Sequence, residues 1–143
     1  MDRQAIVGAA LELIRAGRAF VFATVDDTGF PQIRWMGGAF LEEPLTVYMA
    51  AGADSRKMKQ IASHPQAQLM FQTEDFSRVA TLTGSASVVT DPAMKRQVFA
   101  GIPGASQYFP GPDDASFGVV KFVCSRIEML GLGEGMTPVV ADI

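Results

Sequence analysis

The chain has 143 residues, of which 48% are hydrophobic and 19% charged, and it carries a formal net charge of −3. That length and balance fit one domain with a real core, and they exclude a disordered chain. A net negative charge argues against a general nucleic-acid binder, and the apolar runs are too short to span a bilayer, so neither nucleic acid nor membrane is an expected partner.

In chain order, Asp2 and the spacing of Ile6, Ala9, Ala10, Leu13 and Ile14 predict a helix over 2–17, with Arg15 and Gly17 at its end. The run Phe20-Val21-Phe22-Ala23-Thr24-Val25 is aromatic and β-branched, as a buried strand is. Asp26-Asp27-Thr28-Gly29 supplies turn chemistry, and residues 31–36 complete a hairpin. Gly37-Gly38 and Glu42-Glu43-Pro44 interrupt the pattern, with Glu42-Glu43 expected as a solvated turn before a third strand at 45–49. Residues 50–54 read as a small-residue loop leading into a short helix, 55–63, which Pro65 stops.

Residues 67–73 and 79–89 predict a fourth and a fifth strand, with Gly84 marking a bulge or bend. Asp91-Pro92 is a helix start, because the carboxylate caps free amides and proline sits where no N–H is needed. That helix ends near Gly101 and a proline-containing loop follows. A sixth strand is expected at 117–124, a short seventh at 126–130, and an irregular or partner-docked tail at 131–143. The expected architecture is therefore one mainly β (α+β) domain: an antiparallel barrel of six or seven strands with peripheral helices.

So apolar a composition in so small a domain points to apolar surface buried between subunits. The single cysteine, Cys124, cannot form an internal disulfide, which suits a reducing cytoplasm, and its apolar strand suits a buried thiol. His64, before a proline at a helix end, fits a dipole-facing position better than metal ligation, so no metal is expected.

Ser55-Arg56-Lys57 is the most informative triplet. Cations at a helix N-terminus oppose the macrodipole, by roughly 0.3–1 kcal/mol each when exposed. A dianionic phosphate would reverse that sign by accepting bonds from the free amides, the Ser55 hydroxyl and both cations. The plainer alternative is that Ser55 or Asp54 caps the helix and the cations point into water. Spacing leaves both open.

The ordered series Phe22-Ala23-Thr24-Val25-Asp26, Gly29-Phe30-Pro31, Ser55-Arg56-Lys57, His64-Pro65 and Thr83-Gly84-Ser85-Ala86 resembles the pyridoxamine 5′-phosphate oxidase-like split barrels. Tyr108-Phe109-Pro110-Gly111-Pro112-Asp113-Asp114 adds a segment similar to the general stress protein 26-like subgroup. The resemblance implies a split β-barrel homodimer with FMN held between its subunits. It implies that Ser55, Arg56 and Lys57 bind phosphate, that Arg34, Trp35 and Met36 lie along the flavin with Arg34 near the phosphate or ribityl chain, and that Met49 and Ala50 approach it through their backbone. No catalytic residue is assigned by it.

Departures narrow the expectation. Gly37-Gly38-Ala39 stands where oxidases of pyridoxamine phosphate carry a lysine, and Leu130 stands where many members of the subgroup have a tryptophan. The expected function is thus an FMN-dependent oxidoreductase of an unidentified small molecule, not a true pyridoxamine 5′-phosphate oxidase. A flavin-sequestering stress protein and an F420-dependent reductase on the same barrel are the alternatives.

Overall fold

The computed structural model describes residues 1–42, 44–133 and 135–143. In chain order these form α1 (Arg3–Arg15), β1 (Phe20–Val25), β2 (Pro31–Met36), β3 (Ala39–Glu42), β4 (Thr46–Gly52) and α2 (Arg56–Ser63). There follow β5 (Gln66–Gln72), β6 (Val79–Val88), α3 (Pro92–Gly101), α4 (Ala105–Tyr108), β7 (Phe117–Leu130) and β8 (Val139–Asp142). Hydrogen-bonded neighbours run β2-β1-β5-β6-β7-β4-β3, every pairing is antiparallel, and β8 joins β7 beside β4. This is the expected split barrel with peripheral helices.

Side chains alternate across the curled sheet, so it carries two apolar layers. The inner one holds Phe20, Phe22, Val47, Met49, Leu69, Leu82, Phe122 and Ile127, and α1 packs Ile6, Ala10, Leu13 and Ile14 against it. The outer one is local: Tyr48, Phe117 and Val119 meet Val98, Ile102 and Ala105 beneath α3 and α4. Cys124 belongs to the inner core, where burial pushes its thiol up to about 11.

The cap expected at Asp91 forms, and Asp2 at the start of α1 caps as well. The Asp2 carboxylate accepts the Ala5 N–H at 2.8 Å, and the Asp91 carboxylate accepts those of Ala93 and Met94 ahead of Pro92. Five local readings need correction. Residues 50–52 are strand, not loop; the small side chains answer to crowding, since a Cβ on the facing Gly118 would come within 2.9 Å of Ala51 O and of the Met58 side chain. Residues 39–42 pair with β4 as a strand too short to show a period. Residues 105–108, read as loop, form a helical turn after Gly104 at φ +83°.

The two expected strands at 117–124 and 126–130 are one, because Ser125 is the extra residue of a β-bulge opposite Gly84 rather than a break. The tail is not irregular throughout: Val139–Asp142 pairs with β7 at Arg126 to Met129, and β7 offers that free edge. The solvated turn expected at Glu42-Glu43 involves Glu43, which lies outside the described residues. Among those described, no helix is long and apolar enough to cross a membrane.

Candidate functional site

Ser55 is the residue before the first turn of α2, and its backbone N–H donates to Gly52 O at 3.0 Å. Its hydroxyl does not cap the helix. The Ser55 Oγ is buried and has no hydrogen-bond partner. A buried hydroxyl without a partner is costly, by roughly 1–3 kcal/mol, so the plain capping alternative fails to explain this serine. The first turn of α2 also contains no acidic residue to offset its dipole.

Arg56 and Lys57 follow, and Arg34 reaches the same corner from β2. The Arg34 guanidinium lies 5.6 Å over the Phe22 ring, donating to Phe22 O at 3.2 Å, Thr24 Oγ1 at 2.8 Å and Gln60 Oε1 at 3.3 Å. Burial lowers the Arg34 pKa, and the charge of Arg56 lowers it further. Burial likewise lowers that of Lys57, with Arg34 adding to the effect. The three cations therefore repel one another, and among the described residues none of them is paired with a carboxylate. An anion placed among these groups would relieve that repulsion.

Beside this corner opens a cleft of about 590 Å³, within the range of cofactor pockets. Trp35, Met36, Ala50 and Lys57 line it, so four of the residues expected from the sequence meet there. Trp35 lies on the outer face of β2 and Met36 on the inner. Met49 does not reach the cleft; its side chain is in the inner core, and its backbone pairs with Val120 and Ala39. Arg56 sits on the other side of the helix start, on a smaller cavity with Asp26, Asp27, Lys59 and Gln60.

The far wall of the cleft comes from residues that sequence reasoning left unassigned. Ile102, Ala105, Gln107, Tyr108 and Phe109 form it, and Phe109 is anchored edge-on to Phe117 at 5.1 Å. The Arg96–Asp113 ion pair, at 3.1 Å, ties the following loop back to α3. Asp113 is thus a tether, and Asp114 accepts from the Ser116 N–H and hydroxyl in a turn. The aromatic pair Tyr108-Phe109 was the available signal for this wall. Leu130 does not line the cleft.

The family model described as pyridoxamine 5′-phosphate oxidase matches residues 6–131. A Clostridium acetobutylicum protein related to general stress protein 26 of Bacillus subtilis superposes with a TM-score of 0.83 at 17% identity, covering 100% of this chain and 97% of its own. General stress protein 26 of Bacillus anthracis gives 0.78 at 18% identity over 100% of both chains. A pyridoxamine 5′-phosphate oxidase-related, FMN-binding protein of Nostoc punctiforme gives 0.67 at 19% identity, covering 99% of this chain and 96% of that one. No curated protein matches the sequence.

Proposed function

Since the chain belongs to the pyridoxamine 5′-phosphate oxidase family, we propose that it binds FMN in the 590 Å³ cleft, with two copies of the chain enclosing the cofactor, and acts as an oxidoreductase on an unidentified small molecule. One observation carries this reading: Arg34, Arg56 and Lys57 lie close enough to repel, none of them forms an ion pair among the described residues although Asp26 and Asp27 line the cavity of Arg56, and beside them the buried Ser55 hydroxyl has no partner. A phosphoryl dianion answers every term of that imbalance. It accepts from the serine and the free amides of α2, and it turns three mutually repelling cations into partners.

Ser55, Arg56, Lys57 and Arg34 would hold the phosphate. Met36, Ala50 and the Ile102 to Phe109 wall would shelter the ring, with Trp35 at the mouth. Bound flavin supplies hydride and single-electron chemistry, and the chain's part is to bind, orient and exclude water. The FMN-binding relative from Nostoc punctiforme supports FMN over F420, and the absence of a lysine in Gly37-Gly38-Ala39 speaks against pyridoxamine phosphate as substrate.

The test is direct. Purified protein should be yellow and release FMN, rather than F420, on denaturation. Arg56→Ala with Lys57→Ala should weaken FMN binding roughly a hundredfold or more while circular dichroism and elution volume stay unchanged. Full retention of flavin by that double variant would refute the phosphate site.

A further inference from the structure

Arg34 is held in an unusual way for an arginine at the centre of a cationic cluster. Thr24, buried on β1, accepts from Arg34 Nη1 at 2.8 Å and donates its own proton to Gln60 Oε1 at 2.6 Å. Gln60 Oε1 also accepts from Arg34 Nη2 at 3.3 Å, and Phe22 O takes the other Nη1 bond at 3.2 Å. The direction of each bond follows from the donors. A guanidinium can only donate, so the threonine lone pair faces Arg34, its proton faces Gln60, and the amide must present oxygen to both.

Resting on the flavin-phosphate reading, we propose that Gln60 and Thr24 are positioning residues that aim the unbonded edge of Arg34 at the phosphoryl group. Of the five guanidinium N–H donors, the three bonds leave Nε–H and one on Nη2 without a partner. Those two nitrogens flank Cζ and form a fork suited to two oxygens of an oxyanion. Every acceptor that fixes the guanidinium is neutral. A carboxylate would hold the group more strongly, but it would cancel the charge that a phosphate needs. Carbonyl, hydroxyl and amide oxygens fix orientation and leave that charge in place.

The arrangement also joins two elements. Gln60 stands one turn along α2 from Arg56, so the helix whose first turn faces the anion also braces the arginine contributed by β2. Gln60 does not line the cleft, but it shares the smaller cavity of Arg56, so the test must separate an effect through Arg34 from a direct one.

The experiment compares dissociation constants for FMN and for riboflavin, which lacks the phosphate, by flavin fluorescence titration. Gln60→Met keeps the length of the side chain and removes the acceptor; Thr24→Val keeps the shape and removes the hydroxyl. Each should weaken FMN binding about tenfold and leave riboflavin binding unchanged. Thr24→Ser should retain FMN affinity, and Gln60→Met should have no further effect once Arg34 is replaced by alanine. Equal loss for both ligands, or an unchanged FMN-to-riboflavin ratio, overturns the positioning role. A wild-type protein that fails to distinguish the two ligands overturns the phosphate reading itself. Should Gln60→Met not fold, Thr24→Val decides the question alone.

Discussion

Phe76, in the turn between β5 and β6, has a φ of +60° and a ring that is 69% exposed. Such a conformation costs a residue with a Cβ about 1–2 kcal/mol, and no burial of the ring offsets it here. The turn is held instead by Asp75, whose carboxylate accepts from the Thr73 hydroxyl at 2.8 Å and the Ser77 N–H at 3.0 Å. The Ser77 N–H bond, followed by side-chain bonds from Ser77 and Thr73, lowers the Asp75 carboxyl to about 2. A folded pKa below the unfolded one adds stability at neutral pH, which disappears as the pH falls towards 2. Phe76→Asn, a residue that tolerates this backbone region, should stabilise the protein by about 0.5–1 kcal/mol, read as a higher denaturation midpoint at constant slope. A lower midpoint would mean the exposed ring makes a contact that matters for folding. At this scale Ser55-Arg56-Lys57 was legible because a dipole and two like charges are local physics. Thr24 and Gln60 were not, because their bond spans 36 residues of sequence and exists only once α2 packs on β1.

Among the elements, the β6–β7 pair shows how a signal can be right and its consequence missed. Gly84 was readable as a bulge, and the register does shift there, passing over Ser125, whose hydroxyl donates to Thr83 O at 3.1 Å. A Cβ on Gly84 would stand 2.1 Å from Val123 O, a backbone atom with nowhere to go. Gly84→Ala should therefore destabilise the fold by about 1–3 kcal/mol, measured by chemical denaturation. A neutral substitution would show that the two strands can slide apart at the bulge. The strands at 39–42 and 139–142 escaped the sequence because four residues carry no usable period; what makes them strands is a neighbour with an open edge.

At the scale of the whole molecule, β2 is an edge strand whose outward face is apolar. Ile33 is 73% exposed and Trp35 63%, with Phe30 at 69% just before them. A run of large apolar side chains on a free sheet edge is the kind of surface that oligomers cover. It adjoins the cleft through Trp35, so the subunit pairing proposed above would close the flavin site and bury this face together. Ile33→Asp should then convert a dimer into a folded monomer in analytical ultracentrifugation and weaken flavin binding in parallel. An Ile33→Asp protein that sediments like the wild type would rule this face out as the interface.

What the chain's order of residues determined by itself is the part governed by near neighbours. Caps at Asp2 and Asp91, the β1–β2 hairpin, the bulge at Gly84 and the charge anomaly at the start of α2 all arise within a few residues. Only the tertiary structure decided that Ser55 keeps a buried hydroxyl without a partner and that Phe22, Thr24 and Gln60 hold Arg34 beside Arg56 and Lys57. The same holds for the Ile102 to Phe109 segment, which faces Ala50 across a cleft. Desolvation and charge proximity depend on which elements meet, and those meetings are set by the packing of the curled sheet rather than by any local pattern.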